Sequence, residues 1–235
     1  MALPKLETPI YELELPSTGE KVKYRPFLVK EQKNLMIAME SEEETQLRDS
    51  LATIISDCTF NKIDPYEIPM FDIEFIFLRV RGKSVGEKVK LNVLCPDDNK
   101  TRVDVEINLE DIDVHMKKEH TNEISVTKKI KIFMKYPGLK DMTDVKVDQQ
   151  ETEQIFTLIK RCINEIHDGK TIHNRIDMSE KELDDFIDNL TTETFEKLGN
   201  FFETMPKVMH VLKVKNPKTK KKGEVVIEGI QSFFG

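Results

Sequence analysis

Residues 70–80, MFDIEFIFLRV, form the most apolar run in the chain, with Phe71, Ile73, Phe75, Ile76, Phe77 and Leu78 almost uninterrupted. The run is far shorter than the roughly 20 residues needed to cross a bilayer. It starts directly after Pro69, which suits a helix N-terminus. A helix apolar all round has no face to give to water, so the rest of the chain must pack around it. Arg79 and Arg81 lie near its end, where a cation complements the helix dipole. Gly82 is the expected C-cap.

The rest of the chain can do this only as mixed secondary structure. Tyr11, Leu13 and Leu15 alternate with Glu12 and Glu14, Ser17-Thr18-Gly19 turns, and residues 20–24 alternate again, which predicts a hairpin. Arg25 precedes Pro26 and is therefore extended. From Lys30 to about Glu40 good helix formers predominate, and the dense apolar end, Leu35 to Met39, predicts burial. Ser41 followed by Glu44 reads as a capping box, and Leu47, Leu51, Ile54, Ile55 and Cys58 give the next helix its stripe.

A second hairpin is predicted beyond residue 85. Val89, Leu91 and Val93 share a face with Val103, Val105 and Ile107 across a Pro96-Asp97-Asp98-Asn99 turn. Residues 123–136 predict one strand, ended by Tyr136-Pro137-Gly138, with Lys128 and Phe133 off pattern. Residues 149–167 predict one amphipathic helix stopped by Asp168-Gly169. Lys170 to Asp177 is a short strand or turn. Two short helices follow, the first opened by a capping box at Ser179 and Glu182, and residues 208–214 and 224–230 form a last hairpin. The fold class is α+β, helices packed with short antiparallel hairpins. The chain divides at 1–145 and 146–235, or forms one continuous domain.

Composition narrows the function. The net charge of −7 argues against non-specific nucleic-acid binding by the whole chain. Three widely spaced cysteines, Cys58, Cys95 and Cys162, suit a reducing cytoplasm, with Cys58 and Cys162 on apolar stripes. The opening MALPKLETPIYELELPS lacks a basic start followed by an apolar stretch, so no signal peptide is expected.

Several motifs raise chemistry and fall short of it. Gly82-Lys83-Ser84 ends like a phosphate-binding loop, but Phe77 stands where the first glycine is required, so a nucleotide-dependent enzyme is only the alternative reading. Cys162, His167 and His173 lack a fourth zinc ligand. Asp97-Asp98 lacks calcium-loop spacing. The lysines between Lys213 and Lys222 could contact a phosphate backbone, as in a nucleic-acid-binding module, or an acidic partner, but the preferred reading is a soluble turn whose charge discourages edge pairing. Neither a cofactor nor a metal is expected, and no catalytic residue is assigned.

The segments Tyr24-Arg25-Pro26-Phe27-Leu28-Val29-Lys30-Glu31, Phe71-Asp72-Ile73-Glu74, Arg79 to Glu87 with its RxKSVGE core, Cys95-Pro96 and Gly229 to Phe234 together resemble the T4-type phage baseplate hub protein family, across nearly the whole chain. The resemblance implies a structural or assembly protein of the tail baseplate hub without enzyme activity. Its partners are then other phage baseplate hub proteins, and its location the host cytoplasm during assembly or the tail baseplate. In many members of the resembled family the hairpin corresponding to residues 87–107 carries a paired-cysteine CPxC motif. Here Cys95-Pro96-Asp97-Asp98 lacks the second cysteine, and Asn216-Pro217 with lysines stands where a second pair would fall. The expected partner-binding residues are Tyr24, Arg25, Phe27, Arg81, Lys83, Phe233 and Phe234. The last two are either docked on the chain's own core or offered to a partner.

Overall fold

The computed structural model describes residues 7–41, 43–142 and 151–233. In chain order these form strands β1 (Tyr11–Glu14) and β2 (Lys21–Tyr24), helices α1 (Val29–Glu40), α2 (Glu44–Cys58) and α3 (Met70–Val85), and strands β3 (Lys88–Leu94), β4 (Arg102–Asn108) and β5 (Asp113–His115). Next come β6 (Glu123–Ser125), β7 (Ile130–Met134), α4 (Leu139–Met142), α5 (Glu151–Cys162), β8 (Ile163–Asp168) and β9 (Thr171–Asn174). The chain closes with α6 (Glu180–Asp188), α7 (Thr192–Thr204), β10 (Lys207–Lys215) and β11 (Lys222–Glu228). Small antiparallel sheets and separate helices make this an α+β fold, as the sequence pattern predicts.

Two compact units result, one of residues 1–115 with 207–235 and one of residues 116–206. This grouping differs from a single division at residue 145. The difference comes from β10, which returns to pair antiparallel with β5, Val208 opposite Val114, and brings the C-terminal hairpin into the first unit.

In the first unit α3 is the centre. Ile73, Ile76, Phe77 and Val80 are completely buried, and Phe71, Phe75 and Leu78 nearly so. The helix runs on past the predicted cap: Gly82 lies inside it, and Gly86, at φ +114°, ends it with its N–H on the Gly82 carbonyl. Only glycine adopts that φ without strain. A buried carboxylate at the start of the helix pins the first hairpin. Asp72 accepts hydrogen bonds from the backbone N–H and the hydroxyl of Ser17, in the β1–β2 turn, and burial pushes its pKa up. Farther along, the Arg79 guanidinium donates to the carbonyls of Leu109 (2.7 Å) and Ile112 (2.8 Å) and lies 4.5 Å over the Phe75 ring. It fixes the turn that leads into β5.

The β1–β2 and β3–β4 hairpins form in the expected register, with Val89, Leu91 and Val93 opposite Ile107, Val105 and Val103. The Ser41–Glu44 capping box does not form. The Ser41 hydroxyl turns back to the Ala38 carbonyl, and Glu43 takes the N-cap position of α2.

The second unit departs further from the expected pattern. Residues 123–136 are a hairpin, β6 with β7, not one strand. The Thr127 hydroxyl accepts from the N–H groups of Lys129 and Ile130 and so builds the turn at the point where Lys128 broke the alternation. Residues 149–167 are not one helix: α5 stops at Cys162, and the chain continues as β8, paired with β7 and β9. The β-branched Ile163 and Ile166 suit a strand, and Asp168-Gly169 belongs to a hairpin turn, with Gly169 at φ +61°. Ile132, Ile159, Cys162, Ile163, Leu198 and Phe201 fill this unit's core.

Phe77→Ala should lower stability by about 4 kcal/mol, because it empties a fully buried aromatic site. Urea unfolding followed by far-UV circular dichroism measures this.

Candidate partner-binding surfaces

The Arg25-Pro26-Phe27 segment joins β2 to α1 from the inside. Tyr24 is 3% exposed and Phe27 is 8% exposed. Arg25 places its guanidinium 2.9 Å from Glu31 Oε1 and donates to the Pro26 carbonyl, while its N–H donates to the Cys58 carbonyl. Glu31 Oε2 accepts from the Leu28 N–H at 2.7 Å, tying down the first turn of α1. Burial raises the pKa of the Glu31 carboxyl, but hydrogen bonds from Arg25, the Leu28 backbone and Lys30 outweigh this and bring it to about 2. Cys58, beneath this pair, is fully buried, and burial pushes its thiol up to about 12. These three expected partner residues therefore hold the unit together from within.

The same stretch does present a surface. Leu35 and Ala38 of α1 are buried with Glu31, but Val29 is 80% exposed, Met36 54% and Ile37 51%, with Met39 also exposed. The expectation that the whole 35–39 end is buried thus fails. A helix offers one side to its neighbours, and here the remaining apolar residues lie largely off that side.

Lys83 sits in the last turn of α3, paired with Glu87 at 2.5 Å and with Glu110, and 5.4 Å from the Tyr11 ring centroid. Hydrogen bonds that it donates to Glu110 and then Glu87 hold its amine above the ordinary lysine range. Ser84 donates to the Val80 carbonyl and accepts from the Phe27 N–H. The Gly82-Lys83-Ser84 backbone is helical and its side chains are engaged locally, which is not the geometry of a phosphate cradle. Arg81 is half-buried on the same helix, and burial pulls its guanidinium down. Phe233 lies in the 3₁₀ turn Ile230–Phe233, and Phe234 is outside the described residues.

At the far end of the first unit two turns face each other. In each, a residue before proline accepts, through its carbonyl, the N–H of a left-handed residue four positions on: Asn99 to Cys95, and Lys220 to Asn216. Asn216, 1% exposed, donates from Nδ2 to Asp97 (2.9 Å) and Asp98 (3.1 Å), and the Thr219 hydroxyl donates to Asp97 (2.5 Å). The Thr101 N–H, with its hydroxyl and the Lys100 N–H, holds the Asp98 carboxyl well below the usual range. The lysine-bearing turn is thus clasped to the β3–β4 hairpin through neutral donors on aspartates. Gly223 completes the contact: a Cβ there would lie 2.5 Å from Pro96 Cγ.

Cys162, His167 and His173 do not converge. Cys162 is in the core, with its thiol pushed up to about 12 by burial. His167 is 2.8 Å from Glu165, on the opposite sheet face from His173, because Ile166 and not His167 pairs with His173. Among the described residues no three His, Cys, Asp or Glu side chains are placed to hold a metal ion. His120, which sequence reasoning passed over, lies between the Thr204 hydroxyl (3.0 Å) and the Tyr136 hydroxyl (3.1 Å), and burial lowers its pKa.

Two predictions follow from these contacts. Glu31→Gln should cost about 3 kcal/mol near neutral pH by leaving Arg25 without its counter-charge. The Glu31 carboxyl titrates lower in the fold than in the unfolded chain, so its contribution is full above about pH 4.5 and is lost as pH falls toward about 2. The stability gap between wild type and variant should close across that window in pH-dependent urea titrations. Gly223→Ala should cost about 1–3 kcal/mol by overpacking against Pro96, and adding Pro96→Ala should restore most of it, read as a double-mutant cycle.

No helix among the described residues is long and apolar enough to cross a membrane. Neither the curated proteins nor the solved structures include a significant match to this chain. Residues 8–235 match the family described as T4 bacteriophage base plate protein. That match spans nearly the whole sequence, and the chain belongs to the T4 bacteriophage base plate protein family.

Proposed function

We propose that this chain is a component or assembly factor of the tail baseplate hub, and that it works by contact with other hub proteins and not by chemistry. The observation that carries the reading is the outer face of α1, where Val29, Met36 and Ile37 are all more than half exposed in a chain of a baseplate family. Apolar side chains clustered on one helix face suit a docking surface more than a solvated one. The polar groups most suggestive of chemistry, Arg25, Glu31, Lys83 and Ser84, are taken up by structural contacts, which also supports the reading.

Co-expression with the other baseplate hub proteins of the same phage, followed by pull-down, tests this. The wild-type chain should form a stable complex with at least one of them. Val29→Glu with Met36→Glu should abolish it while leaving the thermal midpoint within a few degrees of wild type, because both side chains are on the surface. A wild-type chain that captures none of the hub proteins overturns the proposal.

A further inference from the structure

The second unit leaves one edge of its sheet bare. β9 is the outer strand in the order β6-β7-β8-β9, and all four of its residues, Thr171, Ile172, His173 and Asn174, are exposed. The two-residue loop Gly169-Lys170 sets Asp168 opposite Thr171. The Gly169 N–H donates to the Lys129 carbonyl, next to β7, so the odd-numbered backbone groups of this strand turn toward β7 and the even-numbered ones toward β9. Thr171 and His173 therefore bond with β8, while the N–H and C=O of Ile172 and the N–H of Asn174 point away from the sheet, the Asn174 carbonyl being the cap of the 3₁₀ turn Arg175–Asp177. β9 carries neither lysine nor proline, the usual devices that block such an edge.

Beside this edge a cavity of about 310 Å³ opens between the sheet and α6. Ile130, Ile166, Leu183 and Phe186 give it an apolar lining, and Asp168, Asp177 and Glu182 give it carboxylates, with no lysine or arginine among its lining residues. Ile172, on the other face of β9, is 55% exposed, and Ile176, in the turn after the strand, is 92% exposed. Backbone groups that point outward, an apolar cavity beside them and negative charge around it are the parts of a site for strand addition.

We propose that β9 takes up an extended, basic segment of another baseplate protein as a fifth antiparallel or parallel strand, with a large apolar side chain in the cavity and a lysine or arginine against Asp168 and Asp177. The occupant is a different protein and not a second β9, because self-pairing would bring two sets of these carboxylates together. The inference rests on the reading of this chain as a contact protein, but uses a different surface from α1.

Nuclear magnetic resonance with the ¹⁵N-labelled full chain provides the test. The probe is a soluble basic peptide in which lysine alternates with valine and phenylalanine, and its control is the same peptide with glutamate for lysine. The basic peptide should produce saturable shifts at the amides of Ile172, Asn174, Leu183 and Phe186, and bind at least about tenfold more tightly than the control. Ile172→Pro removes an outward N–H that makes no bond to β8, and its fixed φ and the extended residue before it suit a strand, so it should abolish binding with the β8–β9 ladder intact. Asp168→Lys with Asp177→Lys, which leaves the edge in place, should reverse the preference between the two peptides. Saturating basic peptide without shifts at β9, equal binding of both peptides, or binding unchanged in the variants overturns the proposal, as does dimerisation of the free chain through β9. Absence of peptide binding alongside an intact α1-dependent hub complex would sink this inference alone. Peptide binding without any hub complex would sink the functional proposal and spare this one.

Discussion

The burial of α3 governs the first unit. A helix with apolar residues on nearly every side needs cover all round, and the first unit is the set of elements that supplies it. Buried polar groups make that cover specific. Asp72 holds the first hairpin by Ser17, Arg79 holds the turn at 109–111 by two carbonyls, and Arg25 with Glu31 locks the entry to α1. Apolar burial is non-directional and sets only that these pieces collapse together. The hydrogen bonds set which piece lies where, because each donor or acceptor left buried without its partner would cost about 1–3 kcal/mol.

The same logic links two of the segments that carry the resemblance, although Val85 and Gly86 within them are exposed. Arg-Pro-Phe and the RxKSVGE segment meet in space: the Phe27 N–H donates to Ser84 Oγ, and Lys83 lies near Tyr11. They define the internal frame of the unit. The two surfaces proposed for partners are places where the frame leaves apolar or backbone groups uncovered, the outside of α1 in one unit and the β9 edge in the other. Neither site asks for a catalytic group. The three cysteines are consistent with this division, since all are buried and burial raises each thiol away from the reactive range.

At the end of the first unit formed by the β3–β4 and β10–β11 turns, hydrogen bonds hold two proline-bearing turns together. Asn216 and Thr219 reach two aspartates across the gap, and Gly223 lets the strand approach Pro96. The lysines of that turn read from sequence as a candidate contact for acidic partners. Their turn is held by its neutral residues, and Lys218, Lys220, Lys221 and Lys222 are exposed on the hairpin end.

Local pattern determined much of this protein. Period-two alternation found three of the hairpins, apolar stripes found α2, α6 and α7, and the run at 70–80 found the buried helix, because these signals depend on neighbours within a turn or a pleat. Partial signals existed where the reading went wrong: Lys128 marked a turn, and Asp168-Gly169 marked a hairpin as well as a helix stop. Tertiary structure alone decided which side of an apolar stretch met a partner within the chain. Tyr24 and Phe27 went inside while Val29, Met36 and Ile37 stayed out, and the strand at 207–215 crossed back to residues 113–115. Those outcomes depend on contacts between residues far apart in sequence, and no local period encodes them.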